Sequence, residues 1–176
     1  MKKFLFLFFV CLSHVIYSQN KACVGSKLFK INILTPGFSL EKGISDEFTV
    51  CLDANLSLGF GVKNDGISLL ASPLLRGQYR YFYNLQKRFD KGKDISGNSG
   101  SFLALHSSYY FRPLKNEEFI SSLDGFTLGS VWGFEKTYKS NLNIVLNTGI
   151  GYNLSNNQTY KLVPILNFTI SWVLVK

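Results

Sequence analysis

The sequence is poor in residues that bind metals or perform catalysis. It contains two histidines and three cysteines among 176 residues, and a protein metal site needs several converging His, Cys or carboxylate ligands. It has neither a glycine-rich nucleotide-binding loop nor the Gly-x-Ser-x-Gly turn that carries a hydrolase nucleophile. The sequence therefore predicts no metal and no cofactor.

Long apolar segments and helical periodicity are also missing. No segment repeats apolar residues at helical spacing for more than a turn or two, so the predicted class is all-β. The apolar run at residues 4–12 is shorter than the about twenty residues of a membrane-spanning helix. It follows Lys2 and Lys3 and precedes the polar Ser18 and Gln19, as in a secretory signal peptide. We expect residues 1–18 to be removed after export.

Acidic residues are scarce relative to basic ones. The chain has 19 Lys and Arg residues against 11 Asp and Glu residues, and the signal peptide would remove only Lys2 and Lys3 from this excess. An exported chain without a helix rich in Lys and Arg has little access to nucleic acid. Dispersed solvated charge is the interpretation we favour for the basic excess; if the excess has a partner, anionic lipid headgroups are the better candidate than nucleic acid.

One segment alternates apolar and polar residues over an unusual length. Between Phe48 and Val62 every even position is apolar, and the odd positions carry Thr, Cys, Asp, Asn, Ser or Gly. This period of two predicts a β-strand. The strand is far longer than the roughly five or six residues of an average strand, and its length suits a tilted strand that crosses a bilayer.

The rest of the chain repeats this alternation between polar turns. The further alternating segments are residues 67–83, 101–112, 126–135, 142–154 and 162–174. Residues 28–44 also alternate, but their phase shifts at residues 35–37, where either a β-bulge or a tight turn with Pro-Gly at its centre would explain it. The turn would place Ile33 opposite Leu40. Because single-chain bacterial barrels usually have an even number of strands, we favour the turn and an up-and-down antiparallel barrel of eight strands.

Two segments depart from regular alternation. Pro73 lies inside the segment 67–83, and because proline cannot donate a ladder hydrogen bond we expect a local bulge there. Residues 86–100 are rich in charge and glycine, so we expect a polar loop without buried contacts.

The sizes of the side chains indicate which face of the barrel is outside. The polar face carries mainly Gly, Ser, Asn and Thr, which fits a narrow lumen, and the apolar face carries bulky Leu, Ile and Phe. Aromatic residues concentrate near strand ends, as in the interfacial girdles of membrane proteins. A soluble barrel such as a lipocalin would instead have a crowded core and a surface of Gly and Ser. Residues 19–176 are therefore predicted to form a transmembrane β-barrel domain.

Four short motifs resemble a known family. They are Ile31-Asn32-Ile33-Leu34-Thr35-Pro36-Gly37-Phe38-Ser39-Leu40-Glu41, the Ser72 to Phe82 run, Gly149-Ile150-Gly151-Tyr152 and Pro164-Ile165-Leu166-Asn167-Phe168. In these the chain is similar to small outer-membrane β-barrel proteins of the Bacteroidetes type, with an OmpA/OmpX-like barrel. The resemblance implies an outer-membrane location in a Gram-negative cell envelope and assembly by the barrel assembly machinery. Outer-membrane lipid and lipopolysaccharide would surround a monomer.

Five charged residues lie on the predicted lumen face. Strand parity points Arg76 and Arg80 inward, and Glu41, Asp53 and Glu135 share the polar faces of their own strands. An unpaired arginine in so narrow a space would be costly, because breaking a buried ion pair costs about 3–5 kcal/mol. We therefore expect an ionic network that plugs the lumen. If the arginines sat near a rim, they would instead extend to water.

His106 and Ser108 form the single suggestive catalytic pair. They lie two residues apart on one strand face, and a histidine can activate a nearby serine. The pair is similar to that of the outer-membrane lipid A deacylases, which would make the protein a lipid A-modifying enzyme. The residue after the serine is Tyr109 instead of that family's Asn, and parity points the pair into the lumen. We favour a non-enzymatic barrel that contributes to envelope integrity or to surface interaction through its loops, with His106 as a lumen residue.

Overall fold

The computed structural model describes residues 24–63, 66–111, 125–154 and 161–175. The expected signal peptide at residues 1–18 lies outside the described residues. So do residues 64–65, 112–124 and 155–160. Within the described part of the chain no helix is long and apolar enough to cross a membrane.

Eight antiparallel strands form one closed barrel, as predicted. They are β1 (Lys27–Asn32), β2 (Gly37–Gly43), β3 (Phe48–Lys63), β4 (Gly66–Tyr81), β5 (Gly100–Tyr110), β6 (Gly125–Thr137), β7 (Leu142–Asn153) and β8 (Leu162–Val175). Each strand pairs with its neighbours in the sequence, and β1 pairs with β8 to close the ring. We call the end at which β1 begins and β8 ends the terminal end, and the opposite end the distal end.

The phase shift near residue 35 is a turn, as we favoured, but the predicted register was wrong. Residues 33–36 connect β1 to β2, and Ile31 lies opposite Phe38 where the sequence had placed Ile33 opposite Leu40. Gly37 is therefore not at the centre of the turn. A Cβ atom on Gly37 would lie 2.2 Å from the backbone oxygen of Ala54, so this glycine is needed for close approach of β2 to β3. Ile31 and Phe38 share the outer face in either register, so the face assignment is unchanged.

The bulge expected at Pro73 is absent from the β3–β4 ladder. The register of these strands runs without a shift from Phe48 opposite Tyr81 to Lys63 opposite Gly66. The Pro73 carbonyl accepts from the Phe111 N–H at 2.9 Å, so the side of Pro73 that lacks a donor faces β5, where pairing ends at Leu74 opposite Tyr110. The position at which proline lacks an N–H donor therefore lies beyond the last residue pair of the β4–β5 ladder, so no ladder hydrogen bond is lost.

The β3–β4 hairpin extends past its neighbours at the distal end. Strand β2 pairs with β3 only at residues 49–55, and β5 pairs with β4 only at residues 74–81. Beyond these limits β3 and β4 pair with each other, from Leu56 opposite Pro73 onward. The distal rim is therefore uneven, and the hairpin is its most extended part among the described residues.

The strands separate an apolar outer wall from a polar interior. On the outer wall, side chains such as Leu52, Leu75, Leu105 and Trp132 are exposed. The alternate positions are buried and are occupied mainly by Ser, Thr, Asn and charged residues. Because successive strand side chains point to opposite faces, the sequence alternation produces this separation directly.

The polar loop predicted at residues 86–100 is largely exposed as far as Ser96, but residues 97–100 are buried, so the expectation of no buried contacts was wrong. The segment between β4 and β5 contains a short helix, α1 (Leu85–Asp90), and a 3-10 helix (Ser96–Asn98). Phe82 and Leu85 are fully buried and pack with Phe102 in a cluster at the terminal end. Phe82 and Leu85 are three residues apart, which is about one helical turn, so both side chains can point toward the barrel interior. We call residues 82–99 the cap.

Side-chain hydrogen bonds hold the last part of the cap. Asn98 accepts from the Gly25 backbone N–H at 2.7 Å and donates to the Glu41 carboxylate at 2.9 Å. It therefore connects the cap to the start of the described chain and to the barrel interior. The Ser96 backbone N–H donates to the Asp94 carboxylate at 2.8 Å and keeps the pKa of Asp94 below its ordinary value.

Candidate functional site in the barrel interior

Two cations and two carboxylates meet in the barrel interior. Lys30 lies on β1, Glu41 on β2, Arg80 on β4 and Glu135 on β6. Each occupies an inward position of its strand and is almost completely buried. Four separate strands therefore contribute one charge each, so the cluster forms only when the barrel is closed.

Each carboxylate of this cluster contacts both cations. The Lys30 Nζ lies 2.9 Å from Glu41 Oε2 and also pairs with Glu135 Oε1. The Arg80 Nη1 lies 3.2 Å from Glu41 Oε2 and 2.9 Å from Glu135 Oε2. We call these four residues the charge cluster. Its formal charges balance, which buried ionised groups require.

Neutral side chains add further hydrogen bonds to the cluster. Thr49 Oγ1 donates to Glu41 Oε1 at 2.8 Å, and Asn143 Nδ2 donates to Glu135 Oε1 at 2.8 Å. Gln78 Oε1 accepts from Arg80 Nε at 2.8 Å. Asn98 from the cap adds its bond to Glu41, so the cluster is hydrogen-bonded from the barrel wall and from the terminal end.

A second ion pair lies next to the charge cluster along β3 and β4. Arg76 and Asp53 are direct cross-strand neighbours, and Arg76 Nε lies 2.6 Å from Asp53 Oδ2. Ser39 donates to the other oxygen of Asp53. Like the charge cluster, this pair therefore joins a buried cation to a carboxylate that accepts a further hydrogen bond.

Little space remains between these groups. The cavity that Lys30, Ser39, Asp53, Arg76 and Arg80 help to line has a volume of about 10 Å³. A single water molecule needs at least about 10–15 Å³ of such space. The space beside these charged groups is therefore at the lower limit for one water molecule.

All five charged residues selected from the sequence are buried in the interior and ion-paired. The sequence reasoning missed Lys30 and Asn98. Lys30 had a usable signal, because it lies between the apolar Phe29 and Ile31 and shares the polar parity of β1. Asn98 had none, because its position depends on how the cap folds over the terminal end.

His106 and Ser108 both point into the barrel, where their side chains are 2% and 6% exposed. The His106 Nδ1 lies 3.0 Å from Gln78 Nε2. Because an amide NH₂ group can only donate, Nδ1 is the acceptor of this bond. Among the described residues no hydrogen bond joins His106 to Ser108, and no carboxylate bonds to the ring as an orienting third group.

The described residues contain no group of three or more His, Cys, Asp or Glu side chains that could hold a metal ion. The sequence matches none of the family models, curated proteins or solved structures with which it was compared. The assignment of function therefore depends on the chemistry of the two barrel walls.

Proposed function

We propose that the protein is a non-enzymatic outer-membrane β-barrel with a closed lumen, which supports envelope integrity or interacts at the surface through its loops. The observation that carries the proposal is the inverted distribution of side chains. Large apolar residues cover the outside of the barrel, while charges and amides fill the inside. Proteins in water have the opposite arrangement.

The outer wall is too apolar for a protein surrounded by water. Exposed large apolar side chains occur on all eight strands, for example Ile31, Leu40, Leu58, Leu75, Leu105, Leu128, Leu146 and Leu166. Soluble monomers rarely expose a contiguous apolar patch larger than a few hundred Å². A hydrocarbon environment removes this penalty, because lipid tails are as apolar as the side chains that face them.

Aromatic side chains near both ends support a membrane position. At the terminal end Phe48 stacks on Tyr81 with ring centroids 4.9 Å apart, and Trp132 Nε1 donates to the Tyr83 hydroxyl at 2.9 Å. Toward the distal end Tyr109 and Phe111 pack edge to face with centroids 4.8 Å apart. Aromatic girdles at both interfaces are characteristic of outer-membrane barrels.

The filled interior favours a structural role over transport. An eight-stranded barrel is just wide enough to be filled by its own side chains. Here the charge cluster and the Arg76–Asp53 pair fill the lumen, and the cap covers the terminal end. Contacts to partners would then fall to the outer wall and the loops.

Membrane fractionation combined with gel migration tests the proposal. We expect the protein in the outer-membrane fraction, and we expect unheated detergent samples to migrate as a compact species that heating converts to the unfolded one. A soluble protein, or one whose migration heating does not change, would contradict the proposal.

Planar-bilayer recording of the purified protein tests the closed lumen separately. We expect no steady large conductance, because in this proposal the charge cluster and the Arg76–Asp53 pair close the lumen. A steady large conductance would show that the lumen is open and would favour a transport role.

A further inference from the structure

Two lysines on the outer wall at the terminal end lie directly opposite each other. Lys27 begins β1 and pairs in register with Lys42 near the end of β2. Both side chains are exposed, and both follow the outward parity of Phe29 and Leu40. Directly opposed residues of an antiparallel pair have Cβ atoms about 4.5–5.5 Å apart, and like charges there are destabilising.

Among the described residues, no ion pair joins either lysine to a carboxylate. The interior cations, in contrast, are each paired with at least one carboxylate. Within the described part of the chain the two lysines therefore form a doubly positive pair without a carboxylate partner.

The surroundings of the pair indicate the height of lipid headgroups. Lys42 lies opposite Val50, and Val50 lies opposite Tyr79, whose ring stacks on Phe48 with centroids 5.4 Å apart. The lysines thus border the aromatic residues at the terminal end. At this height a lysine can lay its alkyl chain along an apolar wall and place its ammonium among phosphates.

The terminal end as a whole is positive outside the lumen. Six further basic residues lie there in the described chain: Lys87, Arg88, Lys91, Lys93, Lys136 and Lys139. The acidic residues of that region are Asp46, Glu47, Asp90 and Asp94. This surplus attracts an anionic surface and adds to the local field of the lysine pair.

We propose that Lys27 and Lys42 bind the phosphate of an anionic phospholipid in the leaflet that surrounds the terminal end. The site rests on the proposed function, because a lipid reaches it only if the outer wall lies in a bilayer. Its chemistry is that of two ammonium groups on one phosphate diester, with the acyl chains on the apolar wall formed by Phe29, Leu40 and Val50.

Native mass spectrometry of the full barrel, released from mixed phosphatidylglycerol and phosphatidylcholine micelles, tests the site. We expect the wild type to retain phosphatidylglycerol selectively. Replacing Lys27 and Lys42 by glutamine should lower that selectivity by about fivefold for each lysine. The matched control is Lys63→Gln with Lys161→Gln, which removes the same charge at the distal end and should retain the selectivity.

Heat-modifiable gel migration of the same samples distinguishes failure of the proposed membrane position from failure of the proposed lipid site. A wild-type barrel that fails this assay would overturn the membrane proposal and the lipid site with it. The lipid site alone would be overturned if both folded variants, the Lys27/Lys42 variant and the distal control, lost the selectivity equally. It would also be overturned if both kept it. Equal occupancy by inorganic phosphate without lipid would overturn the lipid as ligand.

Discussion

The outer and inner walls of the barrel are built from the same alternating strands, but their side chains depend on one another to different degrees. If the outer wall lies in hydrocarbon, as we propose, most of its apolar side chains need no particular partner, because lipid tails accept any large apolar group of suitable length. On the inner wall each polar group depends on others, because Glu41 and Glu135 both contact Lys30 and Arg80. The outer wall should therefore tolerate apolar exchange, while the inner wall should respond to the loss of single atoms.

The largest effect should come from removing one carboxylate of the charge cluster. In Glu41→Gln two buried cations share the single carboxylate of Glu135, and breaking a buried pair in this way costs about 3–5 kcal/mol. We expect the free energy of unfolding in detergent, measured by denaturant titration, to fall by that amount. Glu47→Gln makes the same chemical change in the turn between β2 and β3 and should shift it by less than about 0.5 kcal/mol. Equal shifts would mean that the inner wall does not depend on its ion pairs.

An inserted charge on the outer wall should be the next largest effect. Leu105 lies midway along β5 and is 56% exposed. In Leu105→Arg the cation would lie near the middle of the hydrocarbon, at a cost of about 2–4 kcal/mol. Leu162, at the distal start of β8, is 69% exposed, and Leu162→Arg should cost only about 0–1 kcal/mol because the cation lies near the interface. The yield of heat-modifiable barrel measures both, and the absence of this depth dependence would contradict the membrane position.

A smaller effect should follow from loosening the cap. Asn98→Ala leaves the Gly25 N–H and one bond of Glu41 unsatisfied, at about 1–3 kcal/mol. We expect faster tryptic cleavage after Lys91 or Lys93, because cleavage follows the population of the opened cap when opening is fast. Lys87→Gln, at an exposed position of the cap, serves as control and should leave the rate of cleavage after Lys91 or Lys93 unchanged. First cleavage inside β3 in either protein would contradict a cap that opens before the barrel.

The smallest effect should come from the neutral part of the interior. Asn167 Nδ2 donates to Asn147 Oδ1 at 2.8 Å, and a neutral hydrogen bond contributes about 0.5–1.5 kcal/mol. Asn167→Ala should lower the free energy of unfolding by that amount. Leu166→Ala changes the adjacent residue, which is 74% exposed on the outer wall, and should have a smaller effect in detergent. If Leu166→Ala lowered the free energy of unfolding more than Asn167→Ala does, the inner wall would not be the more sensitive of the two.

Single-residue alternation made most of the fold predictable. Strand β3 was predicted as residues 48–62 and extends over Phe48–Lys63, because a period of two needs no knowledge of the neighbouring strand. The inward positions of Arg76, Arg80, Glu41, Asp53 and Glu135 followed from the same parity. The β1–β2 register did not follow, because the approach of Gly37 to Ala54 involves a third strand.

By itself the sequence determined which segments alternate as strands and which face of each is polar, and it left the strand number open between a bulge and a turn at residues 35–37. Only the tertiary structure decided which charges meet, that Lys30 is one of them, and that the cap adds Asn98 to the cluster. The physical reason is the range of the interactions. Alternation is local to one strand, but Lys30 and Glu135 are 105 residues apart in the sequence, and their contact depends on the register of every ladder between them.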